Sequence, residues 1–145
     1  MTDIRIEREF SVSPERLFQA LTEAEDTQAW FGPEGSHVTE GQTDLTKTGP
    51  WYMVLVSSEG NRFKVSGHVT HVTPPRSIGY TWGWHDDEDW RGEESFVTLT
   101  VEPAAKGSKL IVDHRGLGDD DIGASHTQGW NSSLSSLSTY LETAA

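Results

Sequence analysis

The sequence predicts an α+β domain. A curved antiparallel sheet of about six or seven strands wraps round a long C-terminal helix, and two short helices follow the first strand. Three observations carry this reading. Strand-like segments joined mostly by short turns run from Ser36 to Arg115, as in an antiparallel meander. Ahead of them lie one alternating strand and a capped helical stretch. Behind them, Trp130, Leu134, Leu137 and Leu141 recur at intervals of four, three and four residues, which is one helical stripe.

The elements follow in order. "DIRIEREF" alternates, with Ile4, Ile6, Arg8 and Phe10 on one strand face. In "SPERLFQALTEAED", Ser13 suits the cap and Pro14 the first helical position. Leu17, Phe18, Leu21 and Ala24 make the buried stripe of that helix. "TQAWFGP" continues as a short second helix stopped by Gly32 and Pro33. "SHVTEGQTDL" is a weak strand, "GPWYMVLVS" a stronger one, and "SEGN" a turn. "RFKVSGHVTHV" places Phe63, Val65, Gly67, Val69 and His71 on one face, and "SIGYTWGW" does the same for Ile78, Tyr80, Trp82 and Trp84. "EESFVTLTVEP" aligns Val97, Leu99 and Val101, and "SKLIVDHRG" aligns Leu110, Val112 and His114. The last helix is expected from about Ser125 to Thr143, roughly 28 Å at about 1.5 Å per residue. Its other face is Ser, Thr and Asn, mediocre helix formers, so packing on the sheet must hold it. Asp119 to Asp121 precede it and complement its dipole.

The 145 residues suffice for one domain with an unstapled core. No cysteine is present, which excludes disulfides, thiolate metal sites and cysteine nucleophiles. The formal net charge is −12 and no Lys/Arg cluster occurs, so neither nucleic acid nor an anionic membrane surface is an expected partner. "MTDIRIEREF" does not have the character of a signal peptide, and no apolar run reaches membrane-spanning length. A cytoplasmic protein, monomer or homodimer, is the expectation.

"REFSVSPERLFQALTEAEDTQAWFGPEG", "TDLTKTGPWYMV", "VSGHVTHVTPPRSIGYTW" and "HTQGWNSSLSSLSTYL" occur in an order that spans nearly the whole chain. On these stretches the sequence resembles the START-like, or birch-pollen-allergen-like, helix-grip superfamily. Within it the resemblance is to the family named after the activator of the heat-shock protein 90 ATPase. One departure is Lys47-Thr48-Gly49-Pro50, where that family usually shows an arginine and a Gly-Gly. The resemblance implies the helix-grip fold and a cavity between sheet and helix. It leaves activity to be argued from the site, because one fold hosts many functions.

The stretch "WGWHDDEDW" (82–90) frames a histidine and four acids with tryptophans. Trp82 and Trp84 share their strand face with Tyr80 and are expected on the cavity wall. His85 to Asp89 are expected at its exposed rim, as a solvated turn and not as a metal site. His68 and His71 are three apart, and on a strand they point to opposite faces, so they cannot chelate together. His114 and His126 are each placed to reach the cavity, as a ligand anchor or a general base. Trp130 is aimed at the sheet by its helical stripe. Trp30, Phe31 and Phe63 complete the aromatic candidates. Arg8 is the polar residue on an apolar face. It is expected to pair with a carboxylate, Asp44 first and Glu40 second, or to meet an acidic ligand group. No catalytic residue, metal or cofactor is assigned. The leading expectation is a module that binds a small apolar or amphipathic molecule. The alternatives are a chaperone-regulating interaction protein, with a chaperone as partner, and a cyclase, hydratase or hydrolase using a cavity histidine.

Overall fold

A computed structural model describes residues 2–143. The chain runs β1 (Thr2–Phe10), α1 (Pro14–Thr22), α2 (Ala24–Trp30), β2 (His37–Gln42), β3 (Gly49–Val56), β4 (Arg62–Thr73), β5 (Ser77–Trp84), β6 (Ser95–Ala104), β7 (Gly107–Leu117) and α3 (Asp120–Thr143). The strands form one seven-stranded sheet in the order β1-β7-β6-β5-β4-β3-β2, with every neighbouring pair antiparallel. It is the helix-grip arrangement. The strands from β2 to β7 follow one another as hairpins, and β1 closes on β7.

The two short helices divide at Glu23, whose backbone is extended. Ser13 Oγ caps α1 by accepting from the Arg16 N–H at 3.1 Å. Leu17, Phe18 and Leu21 are buried against the sheet. A polar cluster ties these helices to α3. The carboxylate of buried Asp26 accepts from both terminal nitrogens of Arg16 at 3.2 Å and from the Tyr140 hydroxyl.

The last helix starts five residues before its expected position. Asp119 belongs to the cap: its carboxylate accepts from the Ile122 N–H at 3.0 Å, while Asp120 and Asp121 lie in the first turn. Gly123 is where α3 crosses β1. A Cβ there would come within 2.5 Å of Thr2 Cγ2. The 24-residue helix is about 36 Å long, and Leu134, Leu137 and Leu141 press into the core.

The β4–β5 ladder contains two irregularities. It pairs Val65 with Trp84 and Ser66 with Gly83, then resumes at Val69 and Tyr80. Between them the backbone groups find side-chain partners. The His68 N–H donates to Thr81 Oγ1 at 2.9 Å, and the Thr81 carbonyl accepts from Trp51 Nε1 at 3.2 Å. Gly67 makes this possible, since a Cβ there would lie 1.9 Å from the Thr81 carbonyl oxygen. The second irregularity is a register shift between Val69 and His71. It returns Val72 to the inner face opposite buried Ile78 and leaves His71 outside against Gly79. The expectation from strict alternation is therefore corrected: His71 shares the outer face with His68, because a bulge resets the period of two.

Candidate functional site

A cavity of about 400 Å³ opens between α3 and the end of the sheet formed by β3, β4 and β5. Each side is contributed by a different part of the chain. The end of β5 supplies Trp82 and Trp84, and the start of β4 supplies Phe63. Phe31, at the end of α2, and the loop through Glu34 and Ser36 form one flank. Leu55 and Ser57 form another. The roof is a face of α3 made of Ser125, His126, Gly129, Trp130 and Ser133. Small residues on that face leave room that larger ones would fill. A Cβ on Gly129 would meet nothing within 4 Å, so the glycine is not required by packing.

Aromatic rings make most of the wall. Trp82 is central: its ring centroid lies 5.4 Å from that of Trp84, 5.8 Å from Trp130, and 5.9 Å from Phe31. Trp82 and Trp84 meet at 85°, and Phe63 meets Trp84 at 75°. Phe63 is 48% exposed and stands at the mouth. Trp82 is only 6% exposed and belongs to the core as well as to the wall. Its Nε1 is enclosed and has no hydrogen-bond partner among the described residues.

The two other indole N–H groups of the wall are taken by histidines. Trp130 Nε1 donates to His114 Nδ1 at 3.0 Å. His114 Nε2 therefore carries the proton and donates to Ser95 Oγ at 2.7 Å, and the Ser95 hydroxyl donates onward to the Trp82 carbonyl. Trp84 Nε1 donates to His126 Nε2 at 3.0 Å, while His126 Nδ1 donates to the Ile122 carbonyl at 2.9 Å. Each ring thus accepts an indole N–H at one nitrogen and turns the other to an oxygen, with the two nitrogens exchanged between the rings. His114 is 0% exposed. Burial lowers its pKa to about 3. No carboxylate bonds to either ring, so neither carries the orienting partner of a general base.

Of the ten residues singled out in the sequence, Phe31, Phe63, Trp82, Trp84, His126 and Trp130 line the cavity. The other four do not. Trp30 packs behind Phe31 and donates to the Ala20 carbonyl at 2.7 Å. Tyr80 lies in the core between Trp51 and Trp82. His114 sits behind Trp82 and Trp130. Arg8 donates to Ser135 Oγ on α3 at 3.1 Å. It forms no ion pair with Asp44 or Glu40 among the described residues, which corrects that expectation. Asp44 instead accepts from its own neighbour Thr46 and closes a local turn.

His85 to Asp89 lie outside the cavity lining. The Asp86 carboxylate accepts from the Glu88 and Trp90 N–H groups, and Asp89 pairs with Lys64 at 3.1 Å. Arg91 folds back over Gly83 on the outer face, where a Cβ would meet its guanidinium at 2.6 Å, and donates to the Ser66 carbonyl. The acidic stretch is a hydrogen-bonded hairpin tip. No group of three or more metal-ligating side chains occurs among the described residues. No helix among them is long and apolar enough to cross a membrane.

Sequence reasoning missed Leu55, Glu34, Gly129 and the cavity-facing serines. Gly129 stands one position before Trp130 within the helical stretch. A glycine there costs about 1 kcal/mol against alanine, and that local cost was the available signal.

The comparisons with known proteins agree with this architecture. The AHSA1 protein from Silicibacter pomeroyi is 51% identical, with 99% of this chain and 100% of that one covered and a TM-score of 0.95. A protein from Chromobacterium violaceum is 25% identical, covering 97% and 96% of the two chains at a TM-score of 0.85. An AHSA1-like protein from Aeromonas hydrophila, 19% identical over 99% of this chain and 94% of that one, has a TM-score of 0.77 and shares the fold. The chain matches none of the curated proteins. The family model described as "Activator of Hsp90 ATPase homolog 1-like protein" matches residues 11–142. With nearly the whole chain covered, and a relative of the same fold 51% identical over its full length, the chain belongs to the Activator of Hsp90 ATPase homolog 1-like family.

Proposed function

We propose that the protein binds a small, largely apolar molecule between α3 and the sheet, as a binding module to which no chemistry is assigned. One observation carries this reading: the cavity of about 400 Å³ walled by Phe31, Phe63, Trp82, Trp84 and Trp130. Its volume falls within the usual range for small-molecule sites, and a mostly apolar wall with few polar groups suits such ligands. The closed hydrogen bonding of His114 and His126 speaks against acid–base chemistry there. The family description supports the alternative of a chaperone-regulating interaction protein. That reading requires a partner surface outside the cavity.

Native mass spectrometry of protein purified from its host tests the binding reading. A bound small molecule that is absent from Trp84→Ala is the expected result. Trp84 is half-buried, so this variant opens the wall with less loss of packing than Trp82→Ala. If neither protein carries an adduct and neither takes up an added apolar alcohol, the reading fails.

A further inference from the structure

We infer that the cavity selects an organic cation: an amine or quaternary ammonium group on an apolar body. This rests on the binding reading above and adds the charge of the ligand. The aromatic walls supply the first argument. Trp82 and Trp84 stand at 85°, Phe63 and Trp84 at 75°, and Phe31 and Trp130 at 72°. Five aromatic residues, Phe31, Phe63, Trp82, Trp84 and Trp130, share the wall, and aromatic rings attract ammonium groups.

Charge is the second argument. Glu34 is the one carboxylate on the cavity wall and no lysine or arginine lies there among the described residues, while both ring nitrogens of His126 are engaged, by Trp84 and by the Ile122 carbonyl. Glu34 is exposed beside the mouth, and its carboxylate enters no ion pair among the described residues. Its backbone N–H donates to Ser132 Oγ on α3 at 2.8 Å, which holds this loop against the helix. The chain's net charge of −12 reinforces the sign, drawing cations toward the mouth and repelling anions.

The third argument concerns donors. An anionic head entering the cavity needs hydrogen-bond donors or a cation to replace its water. The indole N–H groups of Trp84 and Trp130 already serve His126 and His114, and Trp82 Nε1 is enclosed beneath the surface. The serine hydroxyls that remain do not offset the lost hydration of a carboxylate. An ammonium group loses less, because the ring faces and Glu34 receive it.

Isothermal titration with three probes of equal tail tests this: octyltrimethylammonium, 1-octanol and octanoate. The expected order of affinity is cation, alcohol, carboxylate, with the cation ahead of the alcohol by on the order of tenfold. Glu34→Gln narrows the gap between cation and alcohol severalfold. Added salt weakens the cation in wild type more than in Glu34→Gln. Gly129→Leu locates the site, since the new side chain enters open space from a helical backbone and abolishes binding of all three probes. If alcohol and cation bind equally, or octanoate binds best, the charge inference is overturned while the cavity reading stands. If no probe binds, or binding survives Gly129→Leu, both fail.

Discussion

His114 makes a stability prediction whose sign and size follow from its surroundings. In the fold its pKa is lowered to about 3 from an ordinary 6.5, so only the unfolded chain takes up the proton between those values. Stability is complete above about pH 6.5 and is lost as the pH falls toward about 3. Each pH unit inside the window corresponds to about 1.4 kcal/mol. Acidification from neutrality to about pH 5 therefore removes about 2 kcal/mol through this one group. The comparison is with His114→Gln. A glutamine amide has an oxygen to accept from Trp130 Nε1 and an N–H to donate to Ser95 Oγ, and it does not titrate. Urea unfolding followed by circular dichroism at both pH values gives the difference for each protein. Wild type is expected to lose about 2 kcal/mol more than the variant. The carboxylates held low by their partners, Glu7 and Asp89 among them, affect both proteins alike and cancel. If the two proteins decline in parallel, the ring is not buried in the neutral state described here.

Three further outcomes are expected. Asp26→Ala removes the shared acceptor of Arg16 and Tyr140 and should cost about 3 kcal/mol; an unchanged urea midpoint would contradict the role given to this cluster. Gly67→Ala places a methyl group against the Thr81 carbonyl and should cost about 3 kcal/mol or prevent folding, whereas a protein with wild-type melting would show that the strands do not approach there. Arg8→Met loses one hydrogen bond to Ser135 and no ion pair, so the expected change in unfolding free energy is under about 1 kcal/mol, and a loss of several would restore a buried carboxylate partner for Arg8.

Element order and strand faces were legible because burial imposes a period on the sequence. Tyr80, Trp82 and Trp84 fell on the inner face as their alternation requires, and the stripe from Trp130 to Leu141 pointed the last helix at the sheet. Reading failed where the backbone leaves the period. His71 was misplaced because nothing local announces a bulge whose consequence is to realign Val72 with Ile78. The start of α3 was set too late because Asp119 to Asp121 read as a segment ahead of the helix, whereas Asp119 caps it and the other two form its first turn. Arg8 was matched to Asp44 by charge alone, although Asp44 spends its carboxylate on Thr46. The cavity itself is a property of what is small on α3. Serines and a glycine read as a solvent face until the strands behind them are known to curve away. The cluster of Asp26, Arg16 and Tyr140 joins residues more than a hundred positions apart, a distance over which one sequence carries no pairing signal.

The crowding of indoles around Trp82 has an optical consequence. Its ring centroid lies 5.4 Å from Trp84, 5.8 Å from Trp130 and 5.8 Å from Trp51. Transition dipoles this close couple, so the strong far-ultraviolet transition of the indoles should give an exciton couplet in the dichroism. Excitation migrates within the group before it is emitted, so a change at any one ring alters the light of all four. Trp90 is 72% exposed on the hairpin tip and emits at the longer wavelengths of a hydrated indole. The chain thus carries an inner emitter at the cavity wall and an outer reference of the same chemistry. The ratio of their bands reports on the cavity without any label.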